Sequence, residues 1–419
     1  MSRVESSNLA AHGGGSAQAS GHGPAAGVDT PRLAPATGKK WLGIAAAVAG
    51  VGLALSAAGF AADRPRFAHA WLVGFVFTVT VGIGALFFVL IQHLTRAAWS
   101  VAVRRQAEWV AFSLLAAAPL FAPLYALAPQ IWTGWLGPEA AHDELVHKKA
   151  AYLNLHAFTI RAVVYFAIWG VLAYWFSKRS TAQDADGKRE HTLAMQARSA
   201  PAIPFVALSM TFASFDWLMS LDPHWYSTIF GVYIFSGATT SSFAVLALFT
   251  VGLQTSGYFR KVSTVEHRHD VGKLLFGFTV FWAYIAFSQF FLIWYANIPE
   301  ETVFFRERMG EGWMPVSAAL LFGHFIIPFT LLLSRHVKRN AVGLSVGAVL
   351  MLVMHWVDVY WLVMPNLDRH APHFSWIDLG GLLGPLGVAA VVVAWKASRE
   401  NLFPVRDPRL PETYKVENL

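Results

Sequence analysis

The sequence predicts an all-α polytopic membrane protein with ten transmembrane helices, and three observations carry that expectation. Of its 419 residues, 55% are hydrophobic and only 14% charged, where a soluble domain carries about 25% charged residues. The apolar residues arrive in blocks about 20 long, the length that crosses a bilayer's hydrocarbon. The loops between the blocks alternate between many and few Lys and Arg residues. The chain has no cysteine, which excludes disulfides, zinc–thiolate sites, iron–sulfur clusters and a cysteine nucleophile. Its formal charge of +7 is dispersed between apolar spans, a distribution that serves membrane topology and not nucleic-acid binding.

Residues 1–38 are rich in Gly, Ala, Ser, Pro and His without apolar periodicity, which predicts a disordered tail. The first span, 41–61, opens with Trp41 behind Lys39 and Lys40, an interfacial anchor. The second covers 70–94. The third, 107–127, contains Pro119 and Pro123, which predict a kink. The loop 137–153 reads as a short amphipathic helix. The fourth span, 156–176, ends near Trp175, Lys178 and Arg179. The fifth and sixth are 201–220 and 228–254, and the seventh and eighth 274–298 and 313–334. The ninth, 341–364, carries Gly343-xxx-Gly347, and the tenth, 375–396, carries Gly380-xxx-Gly384. Both are small-residue patterns that let helices approach closely.

Charge sets the expected orientation. With the N-terminus in the cytoplasm, the inner segments hold 24 of the 32 Lys and Arg, the outer loops seven, and Arg161 falls inside a span. That asymmetry predicts both termini cytoplasmic. An internal repeat is also expected. Asp216 and Asp358 each lie seven residues before a proline, Pro223 and Pro365, at the outer end of spans five and nine. Spans four and eight both finish in Ser plus basic residues, Ser177-Lys178-Arg179 and Ser334-Arg335. Spans two to five and six to nine would then be parallel repeats. The expected organisation is a tail (1–38), a peripheral helix and loop (39–69), a first four-helix bundle (70–220) and a second (221–364). A peripheral tenth helix (365–396) and a cytoplasmic tail (397–419) complete it.

Ionisable groups in a membrane core cost free energy unless paired or hydrated, so each is a functional candidate. The embedded set is Arg161, Asp216, His324, His355 and Asp358, with His156, Glu300 and Glu301 near the outer boundary. His355 and Asp358 are three residues apart and could touch on one helix face, as a proton-relay pair would. Pairing of Asp216 with Arg161 and of Asp358 with His355 purely for packing is equally compatible with the sequence. Two mid-span histidines, His324 and His355, could also ligate a haem b. A secondary transporter with parallel repeats and midplane ionisable groups is the alternative of a different class.

Several stretches together resemble one family. They are Trp71-Leu72-Val73-Gly74-Phe75-Val76-Phe77, Gly82-Ile83-Gly84-Ala85-Leu86-Phe87-Phe88, Phe215-Asp216-Trp217-Leu218-Met219-Ser220-Leu221-Asp222-Pro223-His224-Trp225-Tyr226-Ser227-Thr228 and His269-Asp270-Val271-Gly272-Lys273-Leu274-Leu275-Phe276. The most telling run is Phe281-Trp282-Ala283-Tyr284-Ile285-Ala286-Phe287-Ser288-Gln289 through Leu292-Ile293-Trp294-Tyr295-Ala296-Asn297-Ile298-Pro299-Glu300-Glu301-Thr302. These resemble the NrfD/polysulfide-reductase-type membrane subunits and, among them, the second such subunit of bacterial alternative complex III, a quinol:electron-acceptor oxidoreductase. The resemblance covers about residues 40–400. It implies two four-helix bundles with spans one and ten peripheral, and a bacterial inner-membrane location. It also implies partner subunits that carry the haem c and iron–sulfur centres, including a paralogue of this chain, and no cofactor bound here. Polar residues inside the bundles are then expected proton routes: Asp216, His324, His355 and Asp358, with Arg161, Glu300 and Glu301 as further candidates. Quinol oxidation is expected in the paralogue, which carries a His-containing motif in its second span where this chain has Gly82-Ile83-Gly84-Ala85.

Overall fold

The computed structural model describes residues 29–310 and 312–417. Ten helices among them are long and apolar enough to cross a membrane: α1 (Pro35–Ala62), α2 (Arg64–Leu94), α3 (Val101–Ala126), α4 (Leu155–Asp186), α5 (Arg189–Leu221), α6 (Phe230–Thr255), α7 (Val265–Ala296), α8 (Met314–Leu333), α9 (Ala341–Asn366) and α10 (Trp376–Arg399). No strand occurs among the described residues. A helix satisfies its own backbone donors and acceptors, which is what a segment immersed in hydrocarbon requires. The architecture is that of a multi-pass membrane protein.

Two helices form the centre. Buried residues make up 89% of the apolar window of α2 and 78% of that of α6, against 28% for α1, α4, α7 and α8. Glycine makes the close approach possible. A Cβ on Gly84 of α2 would lie 2.1 Å from the Ala238 carbonyl oxygen of α6, and one on Gly74 would lie 1.9 Å from the Gly381 oxygen of α10. The α1–α10 pair meets the same way, with Gly52 against the Leu383 backbone, Gly387 against Ala49 and Gly380 against Leu55 and Ser56. Ser56 Oγ then donates to the Gly380 carbonyl at 2.9 Å. Gly384 faces the Trp71 ring, whereas Gly343 and Gly347 face Val337 and Leu332.

Several boundaries differ from the sequence expectation. Helix α1 begins at Pro35, inside the segment expected to be tail, because proline is pre-set for the first helical turn. Residues 1–28, the rest of that expected tail, lie outside the described residues. Helix α3 begins at Val101 instead of 107, drawing Arg104 and Arg105 out of the expected loop and into full burial. Helices α4 and α5 run about ten residues past their expected ends and meet at Gly187, whose φ of 69° suits glycine. In α3 a 3-10 turn, Ser113–Ala116, precedes Pro119, consistent with a proline ring that cannot tolerate a helical carbonyl four residues earlier. The expected amphipathic helix at 137–153 resolves into a 3-10 turn, Pro138–His142, and a five-residue helix, Glu144–Lys148.

The face where the chain enters α1 and leaves α10 is closed by an ionic clasp. Arg104 pairs with Asp407 and Glu108, and Arg105 reaches Glu108 at 3.1 Å and Asp184 at 3.0 Å. Trp109 Nε1 donates to Glu400 at 2.9 Å, and Lys396 bonds Glu400 and Ser177. These contacts hold residues 400–413, part of the segment expected to be a tail, against the helix ends, with Leu402 and Phe403 buried. Residue Leu402 also donates its backbone N–H to Pro31 at 2.7 Å. The Asp29 carboxylate accepts from the backbone of Arg260, Lys261 and Val262.

Two outcomes follow. A Gly381→Leu substitution should destabilise by about 1–3 kcal/mol through overpacking against Ala70. Thermal unfolding in detergent should show this, while Gly50→Leu, where nothing lies within 4 Å, should be nearly silent. Burial pushes the Asp407 carboxyl up, but the Arg104 guanidinium and the Arg409 backbone N–H outweigh it and hold it below the usual range. Because the folded-state value is depressed, the clasp's contribution is present at neutral pH and is lost as pH falls below about 4. Hydrogen exchange should find residues 400–413 protected at neutral pH and progressively less so as pH falls through the depressed Asp407 range, and Asp407→Ala should remove the neutral-pH protection.

Candidate functional site

The two aspartates at the ends of α5 and α9 occupy similar places. Both helices finish in a 3-10 turn, Met219–Leu221 and Met364–Asn366, and at about 1.5 Å per residue the carboxylates sit about 8 Å and about 12 Å from those ends. Both are buried, at 1% and 3% exposure. Their environments differ sharply.

Asp216 is closed off by a cation. Arg161 of α4 donates Nε and Nη2 to its two oxygens, both at 2.8 Å, in a bidentate pair. Tyr165 adds an O–H donor at 2.7 Å. The guanidinium also donates to the Tyr152 carbonyl and stacks 3.8 Å from the Tyr152 ring. The spacing of Arg161 and Tyr165, four apart on one helix face, lets both reach the same carboxylate. The Asp216–Arg161 pairing is therefore present.

Asp358 has donors but no cation. Tyr233 of α6 donates its hydroxyl to one oxygen, and Trp282 of α7 donates Nε1 to the other at 3.1 Å. No hydrogen bond or ion pair joins Asp358 to His355, so the direct pairing expected from their spacing does not form. His355 instead lies with Nε2 2.9 Å from Thr80 Oγ1 of α2. The Thr80 hydroxyl also sits 2.8 Å from the Val76 carbonyl of its own helix. The Thr80 hydroxyl is thus shared between its own helix and the imidazole. The other ring nitrogen, Nδ1, makes no hydrogen bond. Gly237 of α6 leaves the space that the imidazole occupies: a Cβ there would lie 3.0 Å from His355 Nδ1 and 3.9 Å from Asp358 Oδ2. His355 Nδ1 and the Asp358 carboxylate thus both flank Gly237 without touching each other.

His324 is fully buried, with neither ring nitrogen bonded. It lies in a π-helical turn, Leu320–Ile326, a distortion frequent at functional sites. Pro328 accounts for the turn, because it removes the helical bond to the His324 carbonyl. The imidazole stacks on the Trp282 indole with 3.8 Å between centroids. Among the described residues no three His, Asp or Glu side chains converge as a metal site.

Glu300, Glu301 and His156 do not join this group. The two glutamates occupy the first turn of a surface helix, Pro299–Arg308, where the helix dipole favours acidic residues. Glu300 and His156 are exposed.

Sequence reasoning missed two features. At the other end of that surface helix Arg308 is buried, donating to the carbonyls of Phe304, Trp361 and Leu362. Burial pushes its guanidinium down to about 10, which leaves it charged at neutral pH. The second feature is a hydroxyl ladder on α6: Ser236, Thr239, Thr240, Ser241 and Ser242, all at most 1% exposed. Most donate to carbonyls of their own helix, such as Thr240 to Ser236 at 2.8 Å, whereas Ser242 Oγ is unbonded. Five hydroxyls in seven residues of an apolar span were the available signal. Farther along, on α2, buried His93 also leaves both nitrogens unbonded.

The Gly82-Ile83-Gly84-Ala85 segment is filled by packing, with Leu114 against Gly82 and the Ala238 backbone against Gly84. No protein-family model and no curated protein sequence matches the chain.

The two aspartates should respond differently to substitution. Asp216→Ala strands Arg161 and should cost about 2–3 kcal/mol, below the full buried-pair penalty because that guanidinium is 19% exposed. Asp358→Asn breaks no ion pair and should cost about 1 kcal/mol for one weakened hydrogen bond. Equal losses in thermal unfolding would contradict this distinction.

Proposed function

We propose that the chain is a non-redox integral membrane subunit of a quinol-oxidising respiratory complex of the alternative complex III type, supporting its assembly and offering a proton relay centred on Asp358. The observation that carries the relay is the carboxylate itself. It is buried, held by a phenol and an indole, without a cation, beside an imidazole whose Nδ1 is unbonded. A group that exchanges protons works best without a permanent counter-ion, and Asp216, locked to Arg161, is assigned to packing. From Asp358 the route runs through His355 to Thr80, with His324 beside the Trp282 donor.

In this reading residues 70–220 and 221–364 form two parallel-repeat four-helix bundles, and α1 and α10 stand to one side. The chain sits in the bacterial inner membrane with both termini cytoplasmic. Quinol oxidation falls to a paralogous subunit, and haem c and iron–sulfur centres to other partners. The resemblance of spans two, five and seven to that family supports this assignment.

A cavity of about 270 Å³ beside the Asp358 donors, lined by Tyr233, Trp282, Gln289, Ser317 and Trp361, favours a second reading, a secondary transporter. Mass spectrometry of the gently solubilised native protein distinguishes the two. The complex reading expects iron–sulfur and haem c subunits in the same particle, and Asp358→Asn lowering proton release per electron without loss of assembly. A chain recovered alone, with solute uptake in proteoliposomes, supports the transporter instead.

A further inference from the structure

A larger cavity lies away from the aspartates and takes no part in the relay. It is bounded by α1 and α10 on one side and by α2, α3 and α6 on the other, and its volume is about 450 Å³. Its walls are aliphatic and aromatic, and only Trp41, Thr78 and Ser113 bring polar side-chain atoms to them. Ser113 donates to the Val110 carbonyl at 2.7 Å, and the Thr78 hydroxyl is buried without a partner. A water takes up about 30 Å³ and needs two to four polar partners. Water could not fill this volume and find them, so its natural content is hydrocarbon.

The cavity has a direction. Its lining runs from Leu386 near the middle of α10 to Ala394 near its end, and on α1 from Val48 back to Trp41. It therefore occupies the leaflet on the side of the ionic clasp. Ile44, in its wall, is 55% exposed, so the cavity opens sideways. On a helix Lys40 stands one turn from Ile44 on the same stripe. Lys39 and Lys40 are both exposed. Across from them Arg399 ends α10, at a level fixed by the close contact of Gly38 with Ser398. The Arg399 guanidinium lies over the exposed side of Trp395, 4.8 Å from the ring. Three cations thus stand at headgroup depth above an apolar slot.

We infer that this cavity is a lipid site that takes one acyl chain of an anionic phospholipid, with the phosphate held against Lys39, Lys40 and Arg399. The chain inside contributes shape, because it leaves one hydrocarbon surrounding for another. The headgroup contributes selectivity through basic residues at the membrane surface. The lipid would also fill the gap between the α1–α10 pair and the central helices.

The test uses the full chain in nanodiscs of phosphatidylcholine doped with phosphatidylglycerol, followed by native mass spectrometry of the released protein. Wild type should retain one phosphatidylglycerol in preference to phosphatidylcholine. Lys39→Gln with Lys40→Gln, both on the surface, should lower that preference by about tenfold. Ala390→Trp, which fills the cavity, should abolish retention, and thermal unfolding checks that the variant is folded. Retention unchanged in folded Ala390→Trp would overturn the site. Phosphatidylcholine retained equally, or no effect of the lysine changes, would overturn the anionic headgroup. An isoprenoid quinone held in its place would overturn the phospholipid.

Discussion

The close approach of α2 to its neighbours is the constraint on which the rest of the structure depends. In a membrane the hydrophobic effect gives helices no reason to associate, so packing and interhelical hydrogen bonds must do so. Gly84 brings the α6 backbone against α2, and Gly74 brings α10 against it. With those contacts made, α2 is enclosed on nearly every side. The remaining helices form a shell around α2 and α6 whose outer faces, such as Tyr284, Phe287, Leu292 and Tyr295 of α7, are left for lipid. The same glycine contacts bring Thr80 of α2 to His355 of α9 and place Gly237 of α6 against the imidazole.

Charge is handled in three ways. At the clasp, Arg104, Arg105, Glu108, Asp184 and Asp407 neutralise one another and tie the C-terminal segment to α3 and α4. Deeper, Arg161 and Asp216 form a single bidentate pair. At Asp358 compensation comes from neutral donors alone. A bidentate arginine fixes a carboxylate in one protonation state and one position, whereas a phenol and an indole fix its position only. That difference, and not depth, distinguishes the two carboxylates and underlies the proposal that Asp358 exchanges a proton.

Parts of the site were legible in the sequence. The partnership of Arg161 with Asp216 follows from two opposite charges at equal depth, which have strong reason to find each other in hydrocarbon. The His355–Asp358 contact failed for a reason that spacing cannot express. Three residues apart on one face makes contact available, but Tyr233, Trp282 and Thr80 offered partners from other helices. The α6 hydroxyls were overlooked because Ser and Thr in a span can bond their own helix and so raise no alarm in composition. Arg308 gave no signal in the sequence, since its burial depends on the fold of the surface helix against Trp361 and Leu362.

The sequence alone determined the class of structure and the number of crossings. Apolar blocks of membrane length have one stable local form, and hydropathy reads it directly because the backbone satisfies itself within each helix. Helix contacts were another matter. Which helix faces which is decided by where small residues let backbones meet and by which polar groups find partners, and both are pairwise properties of distant segments. The burial of Arg104 and Arg105, the parting of His355 from Asp358 and the slot between α1, α10 and the central helices all belong to that second kind. They exist only once the chain has folded, because each depends on an atom contributed by another helix.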